Sequence, residues 1–228
     1  MTVINKAVEV STLDTVIFDL GGVLIDWNPR HLYRQLFDDE TAMEHFLREV
    51  CSQHWNEQQD AGRPWSEAIE TLSAEFPQHA PLIRAYRERW VETLGGLMHD
   101  SIAIFEELRA RGVRLYALTN WSQETFPIAW ALYPFLHTFE GIVVSGQEGM
   151  MKPNPAIYQR LLARYEVDPS RAVYIDDAPR NVEAAAQQGL HALLFRDAVS
   201  LRHELTGLGL LAAGLHDEKV PLGVSSDG

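Results

Sequence analysis

The chain has 228 residues, of which 46% are hydrophobic and 22% charged, with a formal net charge of −13 and a single cysteine, Cys51. This length and composition fit a globular protein of one domain with an insertion, or of two small domains. The negative charge argues against nucleic acid or an anionic membrane as a partner, and a single cysteine excludes an internal disulfide. No apolar run reaches the roughly 18 residues of a membrane helix. We therefore expect a soluble cytoplasmic protein.

Strand-like and helix-like segments alternate along most of the chain. A short strand is predicted over 14–18, and helical sequence follows from about 30 to 95, where no strand-like stretch stands out. The later predicted elements are a helix over 100–112, a strand over 113–120, a helix that starts near 121, a strand over 141–145, a helix over 154–165, a strand over 172–177, a helix over 180–189, a strand over 192–195 and a helix near 199–211. Near-continuous Val/Ile/Leu strands separated by helices are typical of a parallel sheet covered on both faces, so we predict an α/β fold.

Three of the predicted helices begin at residues that commonly cap helices. Asp100 is the expected N-cap of the helix that stops at Gly112. Ser122 is the expected cap of the next helix, and Asn154 caps the helix whose first turn contains Pro155.

Polar or charged residues stand at the ends of the predicted strands, where ligands bind in open α/β sheets. These residues are Asp19 after the first strand, Thr119 and Asn120 at the second, Lys152 in the loop after the third, and Asp176 and Asp177 at the fourth. Carboxylates, a lysine and a hydroxyl around one crevice indicate a hard cation together with a phosphate-like anion.

The chemistry of this set can be assigned residue by residue. Asp19 can act as a nucleophile that forms an acyl phosphate, and Asp176 and Asp177 can hold Mg²⁺ with help from Asp19. Thr119 can donate a hydrogen bond to phosphoryl oxygens, and Lys152 can neutralise the charge that develops there. The sequence contains no P-loop, dinucleotide-binding or nucleophile-elbow motif that would offer a different site.

Four stretches, IFDLGGVL, LTN, KPNP and IDDAPRN, resemble in this order the motifs of the haloacid dehalogenase-like (HAD) hydrolase superfamily. The resemblance extends over roughly residues 14 to 197. It implies a Rossmann-like, doubly wound core over residues 1–27 and 97–212, a helical cap over 28–96, Mg²⁺ and an aspartyl-phosphate intermediate formed from a small phosphorylated metabolite. Residues 213–228 look like a loose tail.

Carried over by position, the resemblance implies a role for each motif residue. Asp19 is the nucleophile and a metal ligand, Lys152 is the motif lysine, and the backbone carbonyl of Gly21 faces the metal. The phosphate-binding set is Thr119, Asn120, Lys152 and Gly22. Asp177 is the direct metal ligand, and Asp176 binds the metal either directly or through water.

Gly21 departs from the superfamily pattern, since its phosphatases usually carry a second Asp two residues after the nucleophile. That Asp protonates the leaving oxygen and later activates water, which is typically worth about 10² to 10⁴ in rate. Either the acid comes from elsewhere, from Asp26, His54, Glu57 or Asp60, or the leaving group needs little help, or the chain is not a phosphatase. Family members of the Asp-Leu-Gly type resemble sugar-phosphate phosphatases, so a sugar phosphate is the expected substrate.

Two other functions stay open at this point. In an L-2-haloacid dehalogenase, Asp19 would displace halide without a metal, although those enzymes lack the paired acids of the fourth motif. In a binding protein with the same fold, catalysis would be weakened while Mg²⁺ or phosphate still binds. Within the cap, the stretch 54–65 is a candidate substrate-recognition loop through Gln58, Gln59 or Asp60, and no exposed stripe there indicates an oligomer.

Overall fold

The computed structural model describes residues 12–212, and the expected tail over 213–228 lies outside this range. The strands of the described part are β1 (Thr15–Phe18), β2 (Ile25–Trp27), β3 (Leu94–Leu97), β4 (Arg114–Thr119), β5 (Gly141–Val144), β6 (Ala172–Asp176) and β7 (His191–Leu194). Its α-helices are α1 (Arg30–Tyr33), α2 (Glu40–Glu49), α3 (Gln53–Asp60), α4 (Trp65–Glu75), α5 (Ala80–Glu88), α6 (His99–Ala110), α7 (Phe126–Leu132), α8 (Ser145–Glu148), α9 (Pro155–Arg164), α10 (Pro179–Gln187) and α11 (Ala198–Gly207). Between residues 12 and 212, no helix has both the length and the apolar character needed to span a bilayer.

Five of these strands form one parallel sheet in the order β5–β4–β1–β6–β7. β1 lies in the middle, and its last residue, Phe18, pairs with Ala117 of β4 and with Ile175 of β6. The three central strands are almost wholly buried, as expected for strands that are covered on both faces. The residues that follow these pairs therefore meet at one edge of the sheet, and the predicted α/β fold is confirmed.

Successive residues of β1 point to opposite faces of the sheet and enter two separate hydrophobic cores. Ile17 lies in the smaller core, together with residues of α9 and α10. Val16 and Phe18 belong to the larger core, which continues into the segment between β2 and β3 through residues such as Phe46 and Trp65. One face of the sheet and the inserted helices α1–α5 thus have a single core in common, which we call the shared core.

A two-stranded antiparallel pair, β2 with β3, closes the base of the inserted helices. We expected no strand between residues 30 and 95, and β3 shows that this expectation is wrong at the end of that range. The Leu-Gly-Gly-Leu sequence of β3 resembles a helix stop, but here its first glycine serves strand pairing. A Cβ on Gly95 would collide with the Asp26 carboxylate and the His31 ring, so only glycine lets the two strands approach.

The start of α6 differs from the prediction, whereas its end agrees. The helix begins at His99 with Met98 in the N-cap position, so Asp100 lies in the first turn and not at the cap. A carboxylate in the first turn still interacts favourably with the helix dipole. Gly112, with a φ of +76°, stops the chain from continuing as a helix.

Ser122 does not cap α7, because its hydroxyl accepts a hydrogen bond from the Glu124 amide at 3.2 Å ahead of the helix and also makes a tertiary contact. It accepts a hydrogen bond from Trp65 Nε1 of the inserted segment at 3.0 Å, and α7 begins only at Phe126. The third predicted cap is confirmed, since Asn154 Oδ1 accepts a hydrogen bond from the Ala156 amide at 3.0 Å.

Candidate active site

A cavity of about 290 Å³ opens where β1, β4 and β6 end. The sheet edge contributes Asp19, Gly22, Asn120, Lys152, Asp177 and Asn181 to its wall. The inserted segment contributes Trp27, Asn56, Glu57, Asp60, Trp65 and Trp90. Since ligand pockets typically measure about 300 Å³ or more, this volume suits a small molecule.

Asp19 follows β1 and is only 8% exposed. Its Oδ1 accepts a hydrogen bond from the Leu20 amide at 2.7 Å, and its Oδ2 lies 2.9 Å from Lys152 Nζ. Lys152 is completely buried, and its Nζ also donates to Asp176 Oδ2 at 2.7 Å and to the Leu118 carbonyl at 2.9 Å. The three donors of the ammonium group are thereby used, and they hold both carboxylates in place.

Asp176 is completely buried at the end of β6 and receives several hydrogen bonds besides that of Lys152. Its donors include the Tyr174 hydroxyl at 2.5 Å, the Ala178 amide at 2.9 Å and Asn181 Nδ2 at 3.0 Å. Burial opposes ionisation, but Lys152 and these hydrogen bonds hold the pKa of Asp176 below its usual range. With its oxygens engaged in this way, Asp176 orients Lys152, and its expected contact with a metal stays a prediction.

Asp177, in contrast, presents an exposed carboxylate to the cavity. One oxygen atom each from Asp19, Asp176 and Asp177 lie within 4.8 Å of one another. When ionised, these three carboxylates and the Lys152 ammonium leave two negative charges uncompensated. An oxygen-rich site with this charge fits a hard divalent cation such as Mg²⁺.

Burial, together with this crowding of charge, raises the pKa of two of the three acids, Asp19 and Asp177. Burial raises the pKa of Asp19 to about 8, Lys152 opposes this effect, and the charges of Asp176 and Asp177 add to it. Burial and the neighbouring charge of Asp176 also raise the pKa of Asp177. A bound cation would relieve both effects, because it stabilises the ionised carboxylates.

The two glycines after Asp19 meet different constraints. Gly22 has a φ of +75°, and a Cβ there would lie 2.5 Å from Asp177 Oδ2, so both the turn and the approach of Asp177 require glycine. The Gly22 amide donates to the Ile25 carbonyl at 2.9 Å, and its expected contact with phosphate stays a prediction. A Cβ on Gly21 would have Trp27 Cβ as its neighbour at an ordinary 3.9 Å, so packing does not impose glycine at position 21.

Thr119 and Asn120 end β4 in different surroundings. Asn120 Nδ2 donates to the Lys152 carbonyl at 3.1 Å, and its Oδ1 accepts from the Lys152 amide at 2.9 Å. Thr119 is buried and is not among the residues that line the cavity in this structure. Asn120 therefore positions the loop that carries Lys152, and phosphate binding by Thr119 and Asn120 stays a prediction.

The structure separates the four candidates for the acid that Gly21 cannot supply. Asp26 pairs with His31 at 3.0 Å and does not line the cavity. His54 lines a neighbouring cavity instead. Glu57 and Asp60 both face the cavity that contains Asp19.

Only part of the predicted recognition loop over 54–65 reaches this cavity. Asp60 does, whereas Gln59 is completely buried and stabilises the end of α3, with its Nε2 donating to the Trp55 carbonyl at 2.7 Å. Gln58 instead contacts His54 on the exposed side of the helix.

Our sequence reasoning missed Tyr174 and Asn181, which hold Asp176. Tyr174 was open to prediction, because residues two apart on a strand share a face and Tyr174 is two residues before Asp176. Asn181 Oδ1 is buried without a partner in the part of the chain that the structure describes, so the wall of the cavity offers a free acceptor.

Four tryptophans also line the cavity: Trp27, Trp65, Trp90 and Trp121. They come from distant parts of the sequence, and no local pattern connects them. The indole of Trp90 packs against that of Trp121 with a centroid separation of 5.7 Å, which joins the inserted segment to the sheet edge.

Known proteins resemble this chain in sequence and in structure. A sesquiterpene phosphatase from Aspergillus oryzae is 26% identical over 200 residues, which cover 87% of this chain and 97% of that protein. Three further curated relatives are longer proteins, and this chain spans 17%, 25% and 18% of their lengths.

Among solved structures, a HAD-family enzyme from Bacteroides thetaiotaomicron in a magnesium complex superposes with a TM-score of 0.64 at 19% identity, covering 85% of this chain and 98% of that chain. A dehalogenase solved as an intermediate complex superposes with a TM-score of 0.64 at 18% identity, covering 82% and 86%. At such identities the likeness establishes the fold alone. The sequence model of haloacid dehalogenase-like hydrolases matches residues 13–189, a range that contains all four motifs and the residues gathered at the sheet edge, and this chain therefore belongs to that family of hydrolases.

Proposed function

We propose that this hydrolase cleaves a small phosphomonoester with the help of Mg²⁺ and through an aspartyl phosphate on Asp19. The observation that carries the proposal is the 2.9 Å contact between Asp19 Oδ2 and Lys152 Nζ beside the cavity. A phosphoryl group that enters there meets a carboxylate nucleophile and a fixed positive charge together. The exposed carboxylate of Asp177 stands beside them.

In the first step an Asp19 carboxylate oxygen attacks phosphorus in line, and the bond from phosphorus to the leaving oxygen breaks. In the second step water attacks the aspartyl phosphate, phosphate leaves, and the carboxylate is restored. Lys152 offsets the charge that collects near the reacting group in both steps, and Asp176 and Asn120 keep its ammonium and backbone in place.

Asp19, Asp177 and the backbone carbonyl of Gly21 would hold the magnesium ion. When bound, the ion would reduce the repulsion between nucleophile and phosphoryl group and lower the pKa of Asp19 toward its usual range. The likeness of the fold to a HAD-family enzyme solved with magnesium supports this choice of metal.

The inserted helices, residues 28–96, act in this proposal as a cap that selects the leaving group. A sugar phosphate is our first choice of substrate, because indole faces such as those of Trp27 and Trp90 pack well against the C–H face of a sugar ring. The same tryptophans also favour a second candidate, the phosphate ester of an apolar alcohol, and the similarity to a sesquiterpene phosphatase points the same way.

Dehalogenation of a 2-haloacid fits the cavity less well. Such a substrate brings a carboxylate of its own, and the lining cations of the described cavity, Lys152 and Arg180, already pair with carboxylates. A phosphomonoester is also an anion, but the cation that Asp19 and Asp177 attract compensates for its charge.

Phosphate release from a panel of sugar phosphates and isoprenoid alkyl phosphates, with Mg²⁺ or with a chelator, tests the proposal. Wild type should release phosphate only with Mg²⁺, and Asp19→Asn should release none. Chloride release from 2-chloropropionate in the presence of the chelator would support a dehalogenase instead. Absence of both activities, with Mg²⁺ or phosphate still bound, would support a binding protein.

A further inference from the structure

If the proposed function holds, the reaction needs a proton donor that the segment after Asp19 does not supply. An alcohol that leaves as an alkoxide is a poor leaving group, so the oxygen must receive a proton as its bond to phosphorus breaks. Gly21 has no side chain for this task. The donor must therefore come from another part of the cavity wall.

Two carboxylates of the inserted segment reach this cavity, and one of them is already engaged. Glu57 Oε1 accepts a hydrogen bond from Arg180, so this carboxylate already has a cationic partner. Within residues 12–212, no cationic side chain is hydrogen-bonded to Asp60. Its Oδ2 accepts from Asn56 Nδ2 at 3.0 Å, one turn earlier on the same helix.

Asp60 is also held firmly against the sheet edge. Its carbonyl accepts a hydrogen bond from Ser145 Oγ at 2.5 Å, and Ser145 is the first residue of α8, directly after β5. Two residues later, Gly62 has a φ of +108°, and a Cβ there would lie 3.3 Å from the Gly146 carbonyl. This close approach of the turn after α3 to α8 fixes the end of α3 over the cavity.

We propose that Asp60 is the general acid and base of this enzyme and takes the role of the second aspartate, in whose place this chain has Gly21. As the bond from phosphorus to the leaving oxygen breaks, the carboxylic proton of Asp60 moves to that oxygen and an alcohol departs. The resulting carboxylate then takes a proton from water while the water oxygen attacks the aspartyl phosphate. Phosphate and the Asp19 carboxylate are released, and Asp60 is protonated again.

The surroundings of Asp60 suit a group that must carry a proton at neutral pH. Burial raises its pKa to about 7, the charge of Glu57 adds to this effect, and the Ser122 amide and Lys152 oppose it. Burial and the nearby charges of Cys51 and Asp60 raise the pKa of Tyr86 of α5, which adds no positive charge near the carboxylate. Asp60 is the last residue of α3, where the helix dipole disfavours a negative charge.

Two substrates of similar size with different leaving groups test the proposal. p-Nitrophenyl phosphate releases a weakly basic phenolate, whereas benzyl phosphate must release a strongly basic alkoxide or be protonated. In Asp60→Asn we expect kcat/KM for benzyl phosphate to fall about 10² to 10⁴-fold and that for p-nitrophenyl phosphate less than about tenfold. With p-nitrophenyl phosphate, the variant should also show a burst of one nitrophenolate per enzyme followed by slow turnover, because the second step lacks its base.

Asp26→Asn is the matched control, since it makes the same substitution in an acid outside the cavity and should leave both substrates unaffected. Gly21→Asp added to Asp60→Asn should restore activity on benzyl phosphate, because the space beside Gly21 admits a side chain. This rescue also shows that the variant is folded. The rate of wild type should decline above a pH of about 7, and this decline should disappear in Asp60→Asn.

An equal loss on both substrates, or no loss on either, would overturn the role of Asp60 while wild-type turnover still supports a phosphatase. Failure of Gly21→Asp to raise activity in a folded Asp60→Asn background would also count against it. If wild type releases no more phosphate than Asp19→Asn from either ester and from every member of the sugar and isoprenoid phosphate panel, the proposed function itself fails, and the role of Asp60 fails with it.

Discussion

Replacing Gly22 by alanine should damage the proposed metal site more than the fold. A non-glycine residue in the left-handed region costs roughly 1 to 2 kcal/mol. The added Cβ would start 2.5 Å from Asp177 Oδ2, so this carboxylate must move by about 0.9 Å to reach an ordinary contact of 3.4 Å. A misplacement of about 1 Å at a reacting group can cost about 10²-fold in rate.

We therefore expect Gly22→Ala to unfold about 2 to 8 °C lower than wild type, since about 1 kcal/mol shifts the midpoint of a domain of this size by about 2 to 4 °C. We also expect its activity to fall about 10²-fold and its half-saturating Mg²⁺ concentration to rise. Thermal unfolding and an Mg²⁺ titration of phosphate release measure these effects separately.

Gly21→Ala is the matched control for this prediction. Its Cβ would lie 3.9 Å from Trp27 Cβ, and its φ is not in the left-handed region, so the free energy of unfolding should change by less than about 1 kcal/mol. If Gly22→Ala keeps the Mg²⁺ dependence of wild type, or if both variants lose activity equally, the argument from the approach of Asp177 is wrong.

Three further substitutions probe the buried charges and their supports. Lys152→Met leaves the carboxylates of Asp19 and Asp176 buried without their ammonium partner. Chemical unfolding at about pH 8 should therefore show a free energy of unfolding that is lower by about 3 to 5 kcal/mol, and this difference should shrink in acid. A difference that does not depend on pH would contradict the prediction. Asn120→Ala removes two hydrogen bonds to the backbone of Lys152 and should lower the single-turnover rate constant about tenfold, so an unchanged rate constant would speak against its positioning role. Between pH 3.8, the pKa of Asp60 in the unfolded chain, and about pH 7, its pKa in the folded protein, only the folded state keeps the proton on Asp60. The free energy of unfolding therefore falls as pH rises through this window. Asp60→Asn should be more stable than wild type by up to about 4 kcal/mol at pH 8 but not at pH 4. Equal unfolding free energies of Asp60→Asn and wild type at both pH values would refute the raised pKa.

The central sheet and the residues at its edge were predictable from the sequence. A strand that is buried on both faces must be almost wholly apolar, so the stretches around Ile17, Leu118 and Ile175 stand out as continuous apolar runs. The carboxyl ends of parallel strands coincide, and this places Asp19 and Asp177 together without any knowledge of the loops.

Features that depend on contacts between distant segments were not predictable. Ser122 has the sequence of a helix cap, yet its hydroxyl binds Trp65 Nε1, a partner that comes close only when the inserted helices pack on the sheet. The pairing of β3 was hidden because Gly95 and Gly96 resemble a helix stop. Among the four candidate acids, only the packing of the chain shows that Asp60 lines the cavity and that Asp26 does not.

The shared core has a consequence for the exchange of parts between members of this family. Residues such as Phe46 and Trp65 of the inserted helices pack into the same apolar cluster as Val16 and Phe18 of the sheet. If the inserted helices were transferred to another scaffold, apolar surface would be exposed on the transferred helices and on the sheet that they leave behind. New specificity is therefore better sought by changing side chains of the cavity wall than by recombining whole segments, since here the inserted helices and the sheet form one structural unit.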